Sequence, residues 1–146
     1  MNSSLPRQQK GAVAIEFALV FVIFFAVFYA IVSYSLPLLL MQSFNQSTAE
    51  AVRRSVAVDP GTPGYAANVQ ATASAELTRQ LAWIPAALNF NVATDSTITF
   101  VGGMLKVNID YPTTKLNQVL PFLVLPGIGV VPNLPTTLSA SSSLQF

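Results

Sequence analysis

Apolar and polar positions are spread unevenly along the chain, and the unevenness predicts its architecture. From Phe17 to Met41 almost every residue is apolar or aromatic, with Ser33, Ser35 and Pro37 as interruptions. No charged residue occurs between Phe17 and Ala49. About 20 apolar residues suffice for a helix to cross the hydrocarbon core of a bilayer, so this run predicts a transmembrane helix. Arg7 and Lys10 precede it and no basic residue follows closely, an asymmetry that puts the N-terminus on the cytoplasmic side. A cleaved secretory signal would have a shorter apolar core of about 7–15 residues, closed by small residues. Here the run is longer and ends in LPLLLM.

The helical pattern continues past the apolar run. Gln42 to Val58 has no internal Gly or Pro, and Phe44, Ala51, Val52 and Ser55 share one helical face. Glu50 stands three and four residues before Arg53 and Arg54, a favourable order for helical ion pairs. Asp59-Pro60-Gly61 is a stop. Read as one helix, Val13 to Val58 spans about 70 Å at 1.5 Å per residue, with Pro37 as a point where it can kink. Thr62-Pro63 reads as an N-cap and first helical position of a second helix. Its stripe is Tyr65, Val69, Ala73, Leu77 and Leu81, it runs to Trp83, and Ile84-Pro85 ends it. Trp83 is expected as a core or interface anchor.

The period then changes to two. Leu88, Phe90 and Val92 alternate with polar or small residues, as do Ile98 and Phe100, and Leu105, Val107, Ile109 and Tyr111. Gly102-Gly103 signals a two-residue hairpin. That turn pairs Phe100 with Leu105 and Ile98 with Val107 on one face, and Thr99 with Lys106 and Thr97 with Asn108 on the other. Turn and pattern agree, which fixes the register. Tyr111 to Pro135 is apolar and holds five of the ten prolines, which forbids a regular central strand and predicts a long ordered loop. Three roles are open to its segment Leu120–Val131: covering the sheet, resting on a bilayer, or meeting a partner. Leu138, Ala140, Ser142, Leu144 and Phe146 alternate as a further strand. The expected fold class is α+β: a long N-terminal transmembrane helix, a second helix, and an antiparallel sheet of 3–4 strands.

Composition narrows the function. The chain is 52% hydrophobic and 9% charged, against about 25% charged in soluble domains. The net charge of +1, with scattered basic residues, gives no footprint for nucleic acid. There is no cysteine and no histidine, so disulfides, thiol chemistry, His- or Cys-based metal sites and histidine bases are excluded. The six acids form no carboxylate dyad, and no nucleophile elbow, S-x-x-K or P-loop is present. No catalytic role, cofactor or metal is expected.

One charge stands out. Glu16 lies at the mouth of the apolar run, where a carboxylate is costly. A carboxylate suits the start of a helix, but the dipole contributes under about 1 kcal/mol. Around it the order is Gly11, Ala-Val-Ala-Ile, Glu16, Phe17, after a short basic leader. This arrangement resembles the class III signal of type IV pilin-like proteins, in the Glu-Phe/Tyr variant of the Flp/Tad (tight adherence) branch. The chain as a whole resembles the TadE-like pseudopilin family, specifically in the signal and loosely in the tail. The resemblance implies that a prepilin peptidase cuts Gly11–Ala12 on the cytoplasmic side, where glycine would leave the backbone extended and accessible. Cutting there removes Arg7 and Lys10, leaving five basic residues against six acids, so side-chain charge goes from +1 to −1. It also implies that Glu16, with Phe17 beside it, meets the new N-terminal amine of a neighbouring subunit. A paired buried charge is far less disfavoured than a lone one, and a single polar contact fixes the register of greasy helices.

The expected organisation is a cytoplasmic leader, residues 1–11, a transmembrane helix, residues 12–41, and a periplasmic α+β domain, residues 42–146. The resemblance implies a single-pass bacterial inner-membrane protein that acts as a minor pilin or pseudopilin in Flp/Tad pilus assembly, serving adhesion and biofilm formation. Its implied partners are the prepilin peptidase, other Tad pilins or pseudopilins, assembly platform proteins and the lipid bilayer. Two alternatives stand beside this: an uncleaved, signal-anchored periplasmic binding module, and a type II secretion pseudopilin.

Overall fold

A single helix, α1 (Gln9–Ser55), carries the rest of the molecule on its C-terminal half. The computed structural model describes residues 9–125 and 127–146; Arg7 and most of the leader lie outside the described residues, as does Pro126. The helix runs through Pro37 without interruption. Its surface changes character along its length. From Gly11 to Val32 it is exposed or half-covered throughout. From Ser33 onward Pro37, Leu40, Phe44, Ser47, Thr48, Ala51, Val52 and Ser55 are buried at spacings of three and four. That periodicity is the stripe a helix uses to pack on a domain.

The element order continues with α2 (Tyr65–Gln80), a 3₁₀ turn at Ala86–Leu88, α3 (Val92–Asp95), β1 (Ser96–Val101), β2 (Met104–Pro112), α4 (Thr113–Asn117), β3 (Leu123–Leu125), β4 (Gly129–Val131) and β5 (Thr137–Gln145). The fold is α+β. The main sheet is antiparallel, in the order β1-β2-β5. The hairpin register is the expected one, with Phe100 opposite Leu105, Ile98 opposite Val107, Thr99 opposite Lys106 and Thr97 opposite Asn108. Both turn glycines have positive φ, 59° at Gly102 and 77° at Gly103, as a type I′ turn demands. The C-terminal alternation becomes β5, which pairs Leu138 with Tyr111, Ala140 with Ile109 and Leu144 with Leu105.

The core lies between this sheet and the two long helices. Leu105, Val107, Ile109 and Tyr111 of β2 are fully buried, as are Phe44 of α1 and Val69, Ala73 and Leu77 of α2. Phe44, Phe90 and Tyr111 form an aromatic cluster with centroids 5.3–6.1 Å apart. The Tyr111 hydroxyl donates to the Leu88 carbonyl at 2.7 Å. Ser55 Oγ donates to Ala51 O and Val69 O, and Ser142 Oγ to Thr48 Oγ1, which ties α1 to α2 and to β5.

Four expectations are corrected. Leu88–Val92 is not a strand. Asn89 takes a left-handed conformation (φ 50°), and Asn91 caps α3 by accepting from Ala93 N–H at 2.9 Å. Asparagine tolerates that backbone and bonds its own neighbours, so it breaks the ladder that the alternation suggested. The second helix begins at Tyr65 rather than at Pro63, because Gly64 is left-handed (φ 77°) and belongs to the turn that Asp59-Pro60-Gly61 opens. The same helix ends at Gln80 rather than at Trp83, and Trp83 is 44% exposed, outside the core, which leaves it the interface role. The proline-rich region is not all loop: β3 and β4 form a small sheet of their own, with Pro121 and Pro132 just outside the strands. Prolines limited the length of these strands rather than preventing them.

Candidate functional site

Gly11, Ala12, Glu16 and Phe17 all lie on α1 and are exposed. Their setting follows from local sequence. Alanine, isoleucine, glutamate and phenylalanine around Gly11 support a helix, and one glycine costs it only about 1 kcal/mol. Gly11 is therefore helical rather than extended. It is accessible: a Cβ added there would meet nothing within 4 Å. A peptidase acting on Gly11–Ala12 must unwind this turn, and turns at helix ends fray readily.

Ala12 and Glu16 are four residues apart, so they share a face one turn apart along the axis. Among the described side chains, those from residue 11 onward, no cation lies within salt-bridge distance of Glu16. An amine created at Ala12 would stand at the same end of the helix, within one turn of a carboxylate. Phe17 begins an aromatic row down the helix: its ring stacks on Phe21 at 6.2 Å, and Phe21 stacks on Phe25 at 6.3 Å. Outside these, Val13, Ile15, Leu19, Val20, Ile23 and Phe24 are exposed all around the helix. A helix apolar on every side is fit for lipid or for packing among similar helices.

Two residues matter in a way the sequence did not reveal. Tyr34 reads in sequence as a membrane-edge marker, and Tyr29 as one more aromatic of the apolar run. In the structure the Tyr29 hydroxyl donates to the Pro121 carbonyl. The Tyr34 hydroxyl accepts from Asn133 N–H at 2.8 Å. These bonds hold the base of the β3–β4 hairpin against α1. Leu123 and Leu125 then form an apolar cleft with Phe21, Val22, Phe25, Ala26 and Tyr29. Glu16 lies roughly 150° around the helix from that cleft, at 3.6 residues per turn, so the hairpin leaves its face open. The hydroxyls gave a weak signal, since nothing in the sequence pairs them with the proline-rich region.

The other charges serve the fold. Arg53 and Arg54 bond Glu50 at 2.7 and 2.9 Å, and Arg54 and Arg79 meet Glu76 at 3.4 and 2.5 Å, linking α1 to α2. The arginine hydrogen bonds hold Glu50 down at about 2, and those of Arg79 hold Glu76 below its ordinary range. Burial, helped by the charge of Asp95, pushes Tyr111 up to about 12. Lys115 pairs with Asp95 at 2.6 Å beside that ring. Among the described residues no acidic cluster could hold a metal ion.

The segment from Gly11 to Arg53 carries a family likeness. Residues 11–53 match the family model described as TadE-like protein. Over that stretch the long helix is similar to TadE-like proteins. The TadE-like segment begins at Gly11 and ends in the last turn of α1, so it takes in the bare apolar half and the packed half alike. It supports a Tad-pilus-associated, pseudopilin type of role in general. The head beyond α1 lies outside the match. No curated protein and no solved structure matches the chain. One helix, Gly11–Ser55, is long and apolar enough to cross a membrane, consistent with a membrane-anchored TadE-like protein.

Proposed function

We propose that this protein is a minor pilin or pseudopilin of a Flp/Tad-type pilus system, anchored once in the bacterial inner membrane with its head in the periplasm. A prepilin peptidase cuts it between Gly11 and Ala12, and its helix then packs sideways among those of other pilin-like subunits. The observation that carries this reading is the coincidence of Gly11, Glu16 and Phe17 with the start of a TadE-like match, at the mouth of a helix bare and apolar on every side. Glu16 pairs with the N-terminal amine of a neighbour and sets axial register where apolar side chains alone would allow sliding. The chain is the substrate of the peptidase and not itself an enzyme. The folded head favours an accessory or priming role in assembly over forming the bulk fibre.

Intact mass of the membrane-extracted chain, with and without a co-expressed prepilin peptidase, tests the first step. The expected outcome is loss of residues 1–11 only when the active peptidase is present. Gly11→Ala is the matched control. A methyl at this position meets no neighbour and favours the helix by about 1 kcal/mol, so the fold survives while the turn becomes harder to unwind. It should stay full length. Retention of the wild-type chain under both conditions would leave an uncleaved signal anchor with a periplasmic binding head.

A further inference from the structure

Leu120 to Pro132 reads LPFLVLPGIGVVP and contains no polar side chain. Its base is anchored: Val131 and Pro132 are buried. Its tip is not. Val124 is 76% and Ile128 73% exposed, and the hairpin does not lie over the three-stranded sheet. It runs instead along α1, held by Tyr29 to Pro121 and by Asn133 to Tyr34, with Leu123 and Leu125 against Phe21, Val22 and Phe25. At 1.5 Å per residue, Phe21 is about 12 Å below Tyr29 and about 20 Å below Tyr34 along the axis. Starting from Ala12, a hydrocarbon core of about 30 Å ends between those two tyrosines, the residue type enriched at that boundary. Whatever medium bathes Phe21 to Tyr29 therefore bathes the hairpin.

We propose that the β3–β4 hairpin is a second membrane-contacting element, which lies beside α1 in the head-side leaflet with Val124 and Ile128 among the acyl chains. This rests on the reading of α1 as membrane-spanning. The hairpin's backbone suits a medium that punishes unpaired polar groups. Leu123, Val124 and Leu125 pair with Val131, Val130 and Gly129. Ile128 N–H donates to Leu125 O, Phe122 N–H to Asn117 Oδ1, and the Pro121 carbonyl accepts from Tyr29. Pro121, Pro126 and Pro132 have no N–H to satisfy. A two-stranded ribbon still has open edges, which lipid disfavours; because Leu123 and Leu125 lie against Phe21, Val22 and Phe25, the tip sits at the depth of those residues, with α1 along one side of it. The contact would fix the rotation and tilt of the head on the membrane, which a single helix leaves free.

The chain has no cysteine, so single cysteines report position directly. Ile128→Cys, Phe24→Cys and Val101→Cys, all at exposed sites, would each carry an environment-sensitive nitrobenzoxadiazole label. The full chain is reconstituted in phosphatidylethanolamine–phosphatidylglycerol vesicles with spin-labelled lipids. Position 128 should emit blue-shifted light and be quenched by lipid spin labels. Position 24 should show a similar depth profile, and position 101 should look like water. Quenching at 24 with a water-like signal at 128 overturns this inference alone. A blue shift at 128 that no lipid label quenches means that protein covers the hairpin, and overturns it too. Absence of quenching at both 24 and 128 removes the membrane reading of α1, and this inference with it.

Discussion

Tyr111 shows how one side chain carries several parts of the head. It is fully buried on β2, its ring meets Phe44 of α1 and Phe90, and its hydroxyl donates to Leu88 O. Tyr111→Phe keeps the ring and leaves a buried carbonyl without its donor, a cost of about 1–3 kcal/mol. Phe44→Ala empties the centre of the cluster and should cost about 3–5 kcal/mol. Thermal unfolding of the full chain in detergent, followed by near-ultraviolet circular dichroism, should show both variants destabilised and Phe44→Ala the more so. Equal midpoints for all three proteins would mean the cluster is peripheral. The same cluster marks where the sequence was misleading. Leu88 and Phe90 were legible as inward residues from their alternation, but not as parts of a capped turn. Two-residue spacing cannot tell a strand from a turn and a cap; Asn89 and Asn91 held that information, since both are suited to irregular backbone.

Between elements, α1 and α2 are strapped by Glu50, Arg53, Arg54, Glu76 and Arg79. Both carboxylates are held below their ordinary range by arginine hydrogen bonds, Glu50 at about 2. A carboxylate held low in the folded state binds protons less readily there than in the unfolded chain. Its contribution is thus complete above about 4.5 and is lost as pH falls toward about 2. The thermal midpoint of the head should fall through that window, and Arg54→Gln, which removes the arm between the helices, should make the fall smaller. An unchanged acid profile in Arg54→Gln would show that the strap adds no stability. The pairing of Glu50 with its arginines was legible from helical spacing, as was the β1–β2 register from turn and pattern. The link from Arg54 to Glu76 was not, because it depends on how two helices cross. For the same reason the path of the proline-rich hairpin was closed to the sequence. Its apolar character was plain, but the tyrosines that hold it lie more than ninety positions earlier.

At the scale of the whole molecule, α1 is one helix with two jobs. Its second half is a strut in the core of the head, and its first half is an exposed apolar rod that carries Glu16 near its start. A carboxylate in lipid opposes insertion by roughly 2.5–3.5 kcal/mol at the bilayer centre, and by less at the edge where Glu16 lies. Glu16→Ala should therefore insert at least as well as the wild-type chain, and the head, whose packed stripe begins at Ser33, should keep its melting midpoint. If Glu16 pairs with a neighbour's amine, the variant loses that pair alone. Losing even about 1.4 kcal/mol per contact weakens association tenfold. Co-purification of the variant with other pilin-like subunits should drop by at least that factor while carbonate-resistant membrane association stays unchanged. Undiminished co-purification would reduce Glu16 to a carboxylate that suits a helix end, and register would have to come from the shapes of Phe17, Phe21 and Phe25 instead.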